Sequence, residues 1–188
     1  NPVDIILTGT TLRVAEKSND AILVFTNIFD GPDGDMAPTL ATTTSKPESL
    51  AQVMPAMDLM DASDNALTAT TINGIVVSSN PSAAGPTTGQ ISRYSAVLSS
   101  TLGSFDAGMS IESVTIDALG DGAVTFDDID SAMGGVLIIN RLASMRDDDS
   151  YTMSQDHMIM GANTGLVTPK GVDVSSAHGL VFVAEFNP

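Results

Sequence analysis

Short apolar, β-branched runs alternate with clusters of Gly, Pro, Asn and Asp along this chain. Val3–Thr8 and Thr11–Ala15 flank Gly9, and Ala21–Phe29 runs into the turn cluster Asp30-Gly31-Pro32-Asp33-Gly34. Thr70–Ser78, Ile91–Ser99, Met109–Ala118, Ala123–Ile129, Gly135–Leu142, Tyr151–Ile159 and Leu180–Phe186 continue the series. Runs rich in Val, Ile and Thr with such breaks predict strands joined by tight turns, the pattern of a β-sandwich or jelly roll. Gly74, inside one run, marks a bulge or a close backbone approach.

One segment has a different period. Ser45 precedes Pro47 and Glu48, a helix-start arrangement. Leu50, Val53, Met54 and Met57 then recur at helical spacing, and Pro55 should kink or end the element. The expectation is one short helix around residues 47–60, its Met stripe facing the core. Residues 38–47 and 79–90 read as long polar loops. Composition does not shift across either, and no internal repeat of fixed period is visible. Residues 1–188 therefore read as a single, mostly all-β domain.

Composition adds constraints. With 43% hydrophobic residues, 4% aromatics and no Trp, the core must be built from aliphatic side chains and ten Met. A positive mean hydropathy and 16% charged residues exclude a disordered chain and suit a subunit that buries surface against copies of itself. The net charge of −16 repels nucleic acid and anionic membranes and favours divalent cations as partners. Without cysteine there are no disulfides, thiol nucleophiles or thiolate metal sites. No apolar run reaches the roughly 18 residues of a membrane span. The opening Asn1-Pro2-Val3 suits a mature secreted protein after removal of a leader, although a boundary chosen for expression gives the same start.

Enzyme signatures are missing. There is no G-x-S-x-G elbow, P-loop, G-x-G-x-x-G or H-E-x-x-H. His157 and His178 have no local spacing that suggests zinc, so a non-enzymatic protein is expected.

The acidic clusters remain. Calcium takes six to eight hard oxygen ligands, typically carboxylates and carbonyls on turns. Asp30, Asp33 and Asp35 lie on a Gly/Pro turn, Asp117–Asp130 is a second cluster and Asp147–Asp149 a third. From Asp117 to Asp128 the second resembles the calcium loop of EF-hand and dockerin modules. Asp117, Asp121 and Asp128 match its carboxylate positions, Gly122 its glycine, Thr125 an oxygen position and Val124 the apolar one. The resemblance implies calcium as a cofactor, with Leu119 standing where the family has a second Asp or Asn. Alternation in Ser113–Ile116 and Ala123–Phe126 supports a different reading, a β-hairpin turning at Gly120-Asp121-Gly122. The candidate metal ligands are Asp30, Asp33, Asp35, Asp117, Asp121 and Asp128.

Both ends of the chain are apolar strands, 3–8 and 180–186. Such strands either pair within their own domain or are exchanged between subunits. The expected function is that of a secreted structural subunit assembling into an extracellular filament, pilus-like fibre or tube by strand addition, with calcium as stabiliser. A virion coat or head-decoration protein is the alternative, and a monomeric secreted binding module or hydrolase the third.

Overall fold

A computed structural model of the chain describes residues 1–31, 34–53, 74–81, 89–128, 133–144 and 156–186. Nearly all of its regular structure is β, in several antiparallel sheets of a sandwich-like fold. Sheet I runs in chain order through β1 (Pro2–Thr8), β2 (Thr11–Glu16), β3 (Ala21–Phe25) and β4 (Leu40–Thr43). Sheet II repeats that order with β5 (Pro47–Val53), β6 (Gly74–Ser79), β7 (Gln90–Ser95) and β8 (Thr101–Asp106). Sheet III does so again with β9 (Ser110–Ile116), β10 (Gly122–Asp128), β11 (Met133–Ile139) and β12 (His157–Met160). Sheet IV is the hairpin β13 (Pro169–Ser175) and β14 (Leu180–Glu185).

The sheets stack in chain order because strand alternation gives each of the inner ones two apolar faces. In β6, Ile75 and Val77 join Ala15, Ile22, Val24 and Leu50 in a core between sheets I and II. Val76, between them, points the other way and joins Val53, Ile91, Val124, Phe126 and Leu137 in a core between sheets II and III. On the far face of sheet III, Ala123, Thr125 and Val136 are buried, and β13 runs against β9 and β10.

Each sheet begins in the same way. The first strand carries a bulge at its start, at Val3 between Pro2 and Asp4 and at Glu48 between Pro47 and Ser49. Glu112, between Ile111 and Ser113, and Lys170, between Pro169 and Gly171, repeat it. The residue after each bulge pairs with a small residue of the second strand: Asp4 with Ala15, Ser49 with Ser78, Ser113 with Thr125, Gly171 with Ala184. A valine precedes that small residue each time, at Val14, Val77, Val124 and Val183. This is a structural repeat whose spacing varies with the lengths of the connections, which is why no fixed period shows in the sequence.

Neighbouring sheets meet closely along their first strands, β1 beside β5, β5 beside β9 and β9 beside β13. The fourth strands β4, β8 and β12 have no comparable contacts among the described residues. The layers therefore splay like a fan whose axis lies beside the first strands.

The helix expected around 47–60 is corrected. Residues Pro47–Val53 form β5, and residues 54–60 lie outside those described. The apolar spacing misled because β5 is buried on both faces: Leu50 serves one core, Ala51 and Val53 the other. A strand buried on both sides loses its two-residue period. Strand β4, read as part of the 38–47 loop, and strands β8 and β13, which the sequence reading did not include, are further additions.

Candidate functional site

Two places concentrate polar chemistry. The first is the β9–β10 turn, where the hairpin reading is what the chain adopts. Its Asp117 carboxylate faces inward on the turn. Oδ1 accepts from Leu119 N at 2.8 Å and Asp121 N at 2.9 Å, while Asp117 N donates to Asp121 O at 2.8 Å. Gly120 closes the loop with a φ of +87°, a left-handed conformation that glycine takes without strain. Asp121 Oδ1 in turn accepts from Arg141 N at 2.7 Å. One oxygen of each of these two carboxylates is thus holding the loop in place.

Asp156, just before β12, stands in the same field. Burial pushes its carboxyl up from the ordinary value and the Asp121 charge adds to this, against the Asn140 N–H bond and the His157 charge. Beside the turn, between β10, β11 and the β13–β14 turn, is an open pocket of about 130 Å³, lined mostly by apolar groups such as Ala123, Ile138, Val174 and Val181.

Asp128 does not join this turn. It pairs with Met133 at the opposite end of β10, about 20 Å away at a rise of roughly 3.3 Å per residue. The twelve residues from Asp117 to Asp128 are thus a tight turn followed by a strand. Asp30 and Asp35 are exposed on the β3–β4 connection, and Asp33 and Asp147–Asp149 lie outside the described residues. Among the described residues no three acids or histidines converge as a metal site. His178 is engaged locally, its Nδ1 2.9 Å from Ser175 Oγ in the β13–β14 turn, and His157 is exposed on β12.

The second place is the seam along the first strands. Leu50 N donates to Asp4 Oδ2 at 2.8 Å, Val114 N to Ser49 Oγ at 3.3 Å and Val172 N to Ser113 Oγ at 3.4 Å. Each sheet is thereby latched to the next by the same atoms: a side-chain oxygen after one bulge, an N–H one residue further along in the following sheet. Three of the four bulged residues, Glu48, Glu112 and Lys170, are charged and paired. Glu48 pairs with Lys17 and accepts from Asn80 Nδ2 at 3.1 Å. Lys170 lies 2.9 Å from Glu112 and 3.3 Å from Asp127. Burial works to lower the Lys170 pKa, but the hydrogen bonds and charges of Glu112 and Asp127 outweigh it and hold it above its ordinary value.

This row of charged residues was not singled out from the sequence. Its only local trace is the recurrence of Pro-x-Asp, Pro-x-Ser and Pro-x-Gly at Pro2, Pro47 and Pro169. Among the described residues no helix is long and apolar enough to cross a membrane. No protein-family model matches the chain and no curated protein matches it, so its functional reading rests on these residues alone.

Proposed function

We propose that this chain is a self-assembling structural subunit, built to join copies of itself outside the cell into a fibre or tube. The observation that carries the reading is an end sheet apolar on both faces but covered on one. In sheet I, Ala15 and Ile22 are fully buried against sheet II, whereas Ile5 is 62% and Leu7 52% exposed on the opposite face. Leu12, Val14, Leu23 and Phe25 share that open face through the strand register. At the far end, Leu180 and Phe182 of β14 are 51% and 57% exposed, and among the described residues β14 pairs with β13 alone, leaving its other edge open. Apolar faces and unpaired edges of this kind are the usual substrates of subunit contacts and strand addition. The charge of −16 keeps separated subunits soluble and gives calcium a part as stabiliser of the assembled form.

The test is light scattering and negative-stain microscopy of the purified chain, with calcium or with chelator. Concentration-dependent assemblies are expected. Dispersed monomers in every condition overturn the reading, and assemblies and melting temperature indifferent to calcium remove the ion from it.

A further inference from the structure

The two open surfaces are ends of one repeated interface. At the position paired with the residue after each bulge, Ala15, Ser78 and Thr125 are each fully buried beneath the following sheet. Their fourth counterpart, Ala184, is exposed, and no described sheet lies over it. At the other end, Leu12 and Val14 of β2 occupy the register positions of Ile75 and Val77 of β6, which are fully buried against the preceding sheet. No described sheet precedes sheet I, and its open face is the one already described. Sheet IV therefore lacks what sheet I offers.

We infer that a second copy of this chain seats its sheet I on sheet IV of the first, head to tail, and that the contact closes into a ring instead of extending as an open fibre. The inference rests on the self-assembly proposed above and replaces its fibre with a closed unit, from which a tube would be made by stacking rings. Continuity with the interfaces inside the chain selects the occupant. Each internal contact lays a sheet on its predecessor along the first strand, four-stranded for sheets II and III and a two-stranded hairpin for sheet IV, and sheet I of a copy is a four-stranded sheet with the corresponding face bare. The fan geometry selects closure. Layers close together at β1, β5 and β9 and apart at β4, β8 and β12 open in the same sense from sheet I to II and from II to III, and β13 of sheet IV lies against β9 in the same way. Head-to-tail contacts with a constant rotation close when the rotations complete a circle. Rings of four-stranded blades close at about four to eight blades. One copy has three four-stranded sheets and one two-stranded sheet, so two copies supply eight layers, the upper end of that range.

The experiment measures mass in solution by light scattering for the wild-type chain and for Ile5→Asp and Phe182→Asp, with circular dichroism as a check that each variant is folded. Both substitutions fall on exposed side chains. The wild type should have twice the 19.4 kDa chain mass, and each variant alone should be monomeric. Mixing the two variants should recover dimers, because the Phe182→Asp chain keeps sheet I intact and the Ile5→Asp chain keeps sheet IV intact. Monomeric wild type at every concentration overturns both this inference and the self-assembly reading. Long open fibres keep self-assembly and overturn the ring. Dimers indifferent to both substitutions overturn the head-to-tail faces while leaving self-association standing.

Discussion

The Ser49 hydroxyl donates to Asp4 Oδ2 at 2.7 Å while accepting from Val114 N at 3.3 Å, so one side chain in sheet II ties it to both neighbouring sheets. Ser49 itself is 4% exposed. Ser49→Ala would leave the Val114 N–H without this acceptor and remove one of the Asp4 bonds. A loss of about 1–3 kcal/mol is expected, measured by urea unfolding. Ser49→Thr, which keeps the hydroxyl, should recover part of it.

Thr125 poses the opposite case. Its Oγ1 is buried between sheets III and IV without a hydrogen-bond partner. A buried hydroxyl that makes no bond lowers stability relative to an apolar group of the same shape. Thr125→Val is expected to raise stability by roughly 1 kcal/mol, read as a higher urea midpoint with an unchanged slope. A lower midpoint would show that the hydroxyl finds a partner.

Gly135 carries a steric constraint. A Cβ there would stand 2.5 Å from Phe126 Cζ and 2.6 Å from Ile159 O, the latter a backbone atom of β12 that cannot swing aside. Gly135→Ala should cost about 1–3 kcal/mol, the usual scale of overpacking. Protease sensitivity near β12 should rise with it, since that edge strand is exposed along its whole length.

Asp117 tests the acidic turn. Asp117→Ala removes the acceptor for Leu119 N and Asp121 N and should destabilise by about 1 kcal/mol, whereas Asp117→Asn keeps an oxygen in place and should cost less. If both cost the same, the carboxylate charge and not the bond geometry is what the turn needs.

Lys170 gives a pH dependence of known sign. Its folded pKa is raised, so its contribution is complete below the unfolded value of about 10.4 and is lost as pH rises through the folded value. The stability difference between wild type and Lys170→Met should therefore be constant through neutral pH and shrink in the alkaline range. Urea midpoints measured across that range check it, and a difference that persists would place the effect in packing and not in the ammonium.

Much of this fold was readable because turns and alternation are local. The β1–β2 and β9–β10 hairpins show in the sequence since Gly9 and Gly120-Asp121-Gly122 sit between short β-type runs that pair across them. β5 was misread because two cores claim its two faces, and a strand apolar on both sides carries no period to distinguish it from a helix. The acidic cluster was readable as a cluster but not as a geometry. Strand extension separates Asp128 from Asp117 and Asp121, and the turn's own N–H groups take up Asp117 Oδ1.

Local chemistry by itself determined the class: β-branched runs, turn glycines and an aliphatic, cysteine-free composition lead to stacked antiparallel sheets. Only the tertiary structure decided that the chain is one unit repeated, with Val3, Glu48, Glu112 and Lys170 as equivalent bulges and Asp4, Ser49 and Ser113 as equivalent latches. The physical reason is that a repeat of this kind is conserved in backbone geometry and burial, which several side chains satisfy equally. The connections between its parts are free to differ in length because loop closure costs little more as a loop grows.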